Sequence, residues 1–290
     1  MLTTENSNSK IEKFLPKDGP STEEVKKYIN KYSKEKIVIK CGGRVLLDPA
    51  LLDSFINDIA VLKKLGLTPL LVHGGGLGIK KKSDELNIKN KFIQGLRVTD
   101  NKMIKIVEEV MIKFNKEIVQ ALEKKNCKAE SVTIRENNVI LVEQESRKLG
   151  YVGRPKKILN NKIENILDKG CIPIITPMGL DFKGQAYNIN ADIAAGALAR
   201  SLRSRRLLLV TDVEGVFDKN NQMITEINTF DAKKMVEDKT IHGGMIPKIE
   251  TCIHSINNGV RGVALIDGRK PHSVLFELFS DKGAGTLIRK

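Results

Sequence analysis

KIVIKCGG at residues 36–43 and TPLLVHGGG at residues 68–76 decide the fold. Each is an aliphatic run of strand length that breaks into glycine, as expected for a strand buried on both faces and followed by a tight turn. Between them, residues 49–65 have helical periodicity and stop at Gly66, a residue suited to the left-handed position just past a helix end. The alternation continues outward. Residues 171–176, 206–212, 262–267 and 285–288 read as strands, and residues 100–124 (with Asp100 as cap), 190–204 and 245–257 as helices. Residues 131–135 and 139–143 flank Glu136-Asn137-Asn138 and read as a hairpin. Repeated βα alternation implies an α/β fold, a mainly parallel central sheet with helices on both faces. Upstream, residues 1–20 are polar and punctuated by Pro and Gly, which predicts a mobile tail. Ser21-Thr22-Glu23-Glu24 is a capping-box pattern, and Val25, Tyr28, Ile29 and Tyr32 follow at helical spacing. That stripe must be buried either on its own domain or on another subunit.

The 290 residues carry 49 Lys+Arg against 35 Asp+Glu, a formal charge of +14, and 41% are apolar. An ordinary apolar fraction at this length excludes disorder as the main state and allows a sizeable core. No apolar run approaches a membrane span, and acidic residues in the first thirty positions argue against a secretory or transit peptide. Cys41, Cys127, Cys171 and Cys252 are far apart in sequence, with no CxxC or Cys/His cluster, so neither a zinc site nor a disulfide framework is expected. A reducing, cytoplasmic setting is the simplest reading. The charge raises a nucleic-acid hypothesis, but aromatics are 4% with no Trp, which leaves few stacking platforms. The basic excess is patchy: Arg147, Lys148, Arg154, Lys156, Lys157 and Lys162 form a run without an acid.

Glycine turns stand at three strand ends, Gly42-Gly43, Gly74-Gly75-Gly76 and Asp212-Val213-Glu214-Gly215, with Lys40 just ahead of the first. In open parallel sheets ligands bind at the carboxyl ends of strands, and glycine lets backbone N–H groups approach an anion closely. Three such turns on one edge point to a polyphosphate. The chain lacks GxxxxGK[ST], a GxGxxG after the first strand, and GxSxG, and its four histidines fit no triad spacing. A reaction that needs no general base fits this pattern. Phosphorylation of a carboxylate is one, because the nucleophile is already ionised at neutral pH.

Taken in order, KIVIKCGG, LLVHGGG, FIQGLRVTD, GQAYNINAD, LLVTDVEGV, GGMIPKIETC and IDGRKPHSVLFELFSDKGAGT resemble the N-acetylglutamate kinases of the amino acid kinase family over about residues 36–289. The resemblance implies that family's three-layer αβα sandwich. It also implies ATP-dependent phosphorylation of the side-chain carboxylate of N-acetyl-L-glutamate, a step of arginine biosynthesis. By position, Lys40 and Lys248 match the lysines that contact the transferring phosphoryl group and the leaving-group side, and Asp192 the aspartate that orients both. Gly75 and Gly76 match backbone donors, Arg97 the clamp on the substrate's α-carboxylate, and Asn188, with Asn190 as a neighbour, the substrate-recognising amide. Gly43, Asp212, Gly215 and Gly244 are expected along the nucleotide. ATP enters with Mg²⁺ held by phosphate oxygens and water, so no metal-binding residue is expected in the protein.

The family's arginine-inhibited members carry an N-terminal helix that joins dimers into a hexamer. The resemblance therefore implies a trimer of dimers, with arginine as inhibitor bound by Tyr28, His272, Glu277 and Gly283. It divides the chain into an extension, 1–35, a lobe for acetylglutamate and dimerisation, 36–180, and an ATP lobe, 181–290. Relatives in cyanobacteria and plastids also bind a PII-type signalling protein, so a plastid stroma is the other setting considered. Arg44-Val45 and Leu77 depart from the family's usual residues beside two glycine turns. The competing reading is a catalytically weakened regulatory or nucleic-acid-binding relative.

Overall fold

The computed structural model describes residues 11–290. The central sheet has eight strands: β1 (Lys36–Cys41), β2 (Thr68–His73), β3 (Ala129–Val132), β4 (Ile172–Ile175), β5 (Arg206–Thr211), β6 (Glu226–Asn228), β7 (Val263–Asp267) and β8 (Gly285–Arg289). Their spatial order is β6-β8-β7-β5-β1-β2-β4-β3. Every pairing is parallel except β7 with β8, so β6 and β8 run against the other six. β1 and β2, which both run into glycine turns, lie side by side in the middle, with Lys40 level with Val72 and Cys41 with His73.

Side chains alternate across the sheet with the two-residue period of a strand. Ile37, Ile39, Cys41 and Leu71 enter a core formed with the helices Pro49–Lys64, Asn101–Lys124 and Ser273–Phe279. Val38, Leu70 and Val72 enter a second core with the helices Asn160–Asp168, Ala191–Ser201 and Ile246–Asn257. Helices on both faces of a mostly parallel sheet make the three-layer αβα sandwich. Local chemistry sets the helix starts: Asp48 and Asp100 each accept two backbone N–H bonds as caps, and Lys124 marks the end of the longest helix.

Two expectations fail. The hairpin across residues 136–138 does not form. β3 closes the edge of the central sheet beside β4, whereas Ile140–Gln144 joins a separate four-stranded sheet with Gly153–Ile158, Met178–Leu180 and Ala186–Asn188. The turn between the two runs is real, with Thr133 N–H donating to Glu136 O at 2.7 Å, but β3 gains more by pairing with the buried β4 than by folding back. The expected mobile tail also fails over residues 11–20, where Ile11 and Leu15 pack against the core and the Lys64 ammonium sits 5.9 Å over the Phe14 ring. Residues 1–10 lie outside the described residues.

The helix Thr22–Tyr32 has the expected capping box from Ser21 to Glu24. Its stripe packs on its own domain: Val25 and Tyr32 are buried, Tyr32 meets the Phe279 ring edge-on at 6.4 Å, and Lys27 pairs with Asp281 at 2.6 Å. No helix among the described residues is long and apolar enough to cross a membrane.

Candidate active site

The carboxyl ends of β1 and β2 open into a cleft of about 280 Å³. Gly74 N–H donates to Cys41 O at 2.6 Å, which ties the two glycine turns together. Gly42 is extended, and its lack of a side chain matters for Lys40: a Cβ there would lie 3.1 Å from Lys40 Nζ. A Cβ on Gly75 would lie 2.9 Å from the Met111 thioether, so this turn is seated directly on the Asn101–Lys124 helix. The helix Gly76–Glu85 starts at the cleft, and its first N–H groups have no intrahelical acceptor, which makes them suited to an anion.

Asp192 occupies the first turn of the Ala191–Ser201 helix, whose start is set by Asn190 Oδ1 accepting from Asp192 N–H at 2.9 Å and Ile193 N–H at 3.2 Å. Its carboxylate stands between two ammonium groups, Lys40 Nζ 2.9 Å from Oδ1 and Lys248 Nζ 2.7 Å from Oδ2. Burial alone would raise the Asp192 pKa, but the two lysines outweigh it and hold the carboxyl well below the usual range. Burial alone would lower the Lys40 pKa, and Asp192 outweighs that too, so Lys40 stays protonated. Two fixed cations on one aspartate can cancel charge on a phosphoryl group passing between donor and acceptor.

Across the cleft, Arg97 lies on a small hairpin, Phe92–Ile93 with Leu96–Arg97. One guanidinium nitrogen donates to Gly76 O at 3.0 Å, the plane lies 4.8 Å from the Phe92 ring centre, and Nη1 is buried without a partner. A buried unpaired N–H is a donor waiting for an acceptor, which suits a ligand carboxylate. Asn188 is buried beside it and donates to Thr99 Oγ1 at 3.3 Å.

The structure therefore brings Lys40, Lys248, Asp192, Gly75, Gly76, Arg97, Asn188 and Gly43 to one cleft. Asp212, Gly215 and Gly244 do not line it. Asp212 follows β5 and is near enough to act on Lys40's charge, Gly215 lies against Thr286 of β8, and Gly244 lies in the exposed turn ahead of Lys248's helix. Sequence reasoning missed Phe92, Thr99 and Met111; the hairpin carrying Phe92 is two residues per strand, too short for a periodic signal. Tyr28, Glu277 and Gly283 gather in a second cavity of about 830 Å³ between the Thr22–Tyr32 helix and the chain end. His272 does not line it. Its ring turns to Asp58, 2.6 Å from Nδ1, with Asp18 3.2 Å from Nε2; the Asp58 hydrogen bond raises its pKa against the effect of burial. In the basic run, Arg154 and Lys156 are both engaged by Glu143 at 2.7 and 2.9 Å.

The Amino acid kinase family model matches residues 35–267. The chain belongs to the amino acid kinase family. Among curated members, it is 55% identical to the acetylglutamate kinase of Pelagibacter ubique over 277 residues, covering 96% of each chain. It is 42% identical to the acetylglutamate kinase of Methylobacterium nodulans, covering 91% of each. Solved structures share the family fold. An N-acetylglutamate synthase from Neisseria gonorrhoeae, complexed with coenzyme A and N-acetyl-glutamate, superposes with a TM-score of 0.83 at 23% identity over 92% of this chain. The chain spans 62% of that synthase's length. Carbamate kinase from Giardia lamblia bound to AMP-PNP gives 0.66 at 17%, covering 88% of this chain and 98% of that one.

Proposed function

We propose that the chain is an acetylglutamate kinase, transferring the γ-phosphoryl group of ATP to the side-chain carboxylate of N-acetyl-L-glutamate in arginine biosynthesis. The observation that carries it is the Lys40–Asp192–Lys248 cluster facing glycine turns and an under-bonded Arg97 in one cleft. In the reaction a carboxylate oxygen attacks the γ-phosphorus in line, the bond to the β–γ bridging oxygen breaks, and ADP leaves. No proton must move, because the attacking carboxylate is ionised at neutral pH. Lys40 and the Gly75 and Gly76 amides bear on the transferring group, Lys248 bears on the leaving side, and Asp192 keeps both ammonium groups in place. Mg²⁺ arrives with ATP, held by phosphate oxygens and water.

Arg97, in a lobe over residues 36–180, and Asn188, just past that lobe's boundary, bind the acetylglutamate. Asp212, Gly215 and Gly244 lie along the nucleotide in a lobe over residues 181–290. Formation of a hydroxamate that depends on both ATP and acetylglutamate tests the activity; its absence would overturn the assignment. Arg97→Lys keeps the charge but loses the planar fork. It is expected to raise KM for acetylglutamate by about tenfold, the order of one charge-assisted hydrogen bond, with KM for ATP nearly unchanged. Equal effects on both constants would remove Arg97 from the substrate's carboxylate.

The cavity holding Tyr28, Glu277 and Gly283 is the arginine site of a feedback-inhibited, cytoplasmic hexamer. Its wall includes the Thr22–Tyr32 helix and a buried Glu277 whose carboxyl is pushed up by burial and partly brought back by the Ala284 N–H. His272, turned away to Asp58, acts on that site through the position of the Ser273–Phe279 helix, which it precedes. Deleting residues 1–33 is expected to leave active dimers that arginine no longer inhibits, read by sedimentation and by activity against arginine concentration. Hexamers that persist after deletion would reject this role.

A further inference from the structure

His73 closes β2, is fully buried, and lies outside the chemistry described above. Its ring faces the Asn101–Lys124 helix, where Asn115, equally buried, interrupts an apolar face of Met111, Phe114 and Ile118. Asn115 Nδ2 donates to Ile174 O at 2.7 Å and lies 3.3 Å from His73 Nε2. Because a carbonyl can only accept, the nitrogen of the Asn115 amide is identified by that first bond. Its second proton is then directed at Nε2, so Nε2 is the bare acceptor of the ring and Nδ1 carries the hydrogen. Nδ1 is 3.1 Å from Gly74 O, and the ring therefore donates to that carbonyl.

The Gly74 carbonyl and the Gly75 N–H belong to one planar trans peptide, in which oxygen and hydrogen point in opposite directions. A carbonyl held toward the helix side sends the Gly75 N–H the other way, and Gly75 lines the cleft. We propose that His73 and Asn115 form a positioning pair that orients the Gly74–Gly75 peptide, and with it the backbone donors that meet the transferring phosphoryl group. The pair rests on the reading of the cleft as a phosphoryl-transfer site. Burial lowers the His73 pKa to about 4, so the ring keeps its neutral donor form across the working pH range.

The test is a substitution series on the full-length protein. An asparagine amide nitrogen reaches about where Nδ1 sits, whereas a glutamine amide reaches about where Nε2 sits, and leucine donates nothing. His73→Asn is expected to keep kcat within about tenfold of the parent, whereas His73→Gln and His73→Leu lose about a hundredfold, the cost of a small misplacement of reacting groups. KM for ATP should move less than threefold across the series. A role in packing alone would give the reverse order, because Gln and Leu fill more of the ring's volume than Asn, and that order would overturn the proposal. Ring ¹⁵N shifts of the parent protein give an independent reading. A neutral Nδ1–H form at pH 6–8 is expected, and an Nε2–H form would overturn the pair even if every variant misfolded. Should the parent fail to phosphorylate acetylglutamate, the functional assignment fails, while the tautomer still decides the positioning pair.

Discussion

Lys40→Ala and Lys248→Ala are each expected to fold and to lose kcat by about 10²–10³, equivalent to about 3–4 kcal/mol of transition-state stabilisation lost with one preorganised donor. The folding half of this expectation follows from the geometry. Asp192 touches two ammonium groups, so removing one leaves the carboxylate paired with the other at 2.7 or 2.9 Å. The catalytic half follows from how the cations are fixed. Both are held before substrate arrives, so neither has to be reorganised as charge moves from one phosphate oxygen to the next. Thermal melting within a few degrees of the parent, combined with a collapsed kcat, is the expected pair of results. Near-normal turnover in both variants would mean that the cluster is structural, and the proposed chemistry would fall with it.

Asp192→Asn reverses the balance and is expected to be the more destabilising change. It leaves Lys40, 8% exposed, and Lys248 facing each other across a neutral amide. Breaking a buried ion pair by deleting one partner costs about 3–5 kcal/mol because a buried charge is left without compensation. The pH dependence has a definite sign. The folded-state pKa of Asp192 is depressed, so its contribution is full above the ordinary carboxylate range and is lost as pH falls below it. Lys40 is raised, so its contribution is full below the ordinary lysine value and is lost only as pH climbs through the folded one. Urea denaturation should therefore show a gap between parent and Asp192→Asn that is widest near neutral pH. It narrows below about pH 4, as unfolded-state carboxyls take up protons, and also as pH rises toward the ordinary lysine value, because burial lowers Lys40 once Asp192 is gone. A gap that stays constant to acid pH would show that Asp192 acts through packing.

The central strands were legible because their information is local. An aliphatic run ending in glycine specifies a buried strand and a close-approach turn at once, and β1 and β2 carry both signals within nine residues. The lysines and Asp192 needed the order of motifs along the chain, since Lys40 and Asp192 are 152 positions apart and no local pattern links them. The structure links them by laying β1 beside β5 and packing the Ala191–Ser201 helix over them. What was missed depends on competition between partners. The runs at 131–135 and 139–143 suit a hairpin locally, yet β4 offers the first of them a fully buried edge. Asn115 did leave a trace, a polar residue at helical spacing within an apolar face, but its meaning required knowing that His73 lay opposite.

Strand β8 lies between β6 and β7, and the Thr22–Tyr32 helix rests on residues from 273 onward, with Lys27 bonded to a residue 254 positions away. These contacts constrain folding during translation. At about 5–20 residues per second, the helix emerges on the order of ten to fifty seconds before its seat exists. Until then Tyr32 lacks the Phe279 ring that it meets edge-on, and β6 and β7 are separated by an empty strand position. The half of the sheet that carries Lys248's helix can close only late in synthesis. A nascent chain arrested shortly before residue 273 should therefore present an assembled β1–β4 region beside an open flank.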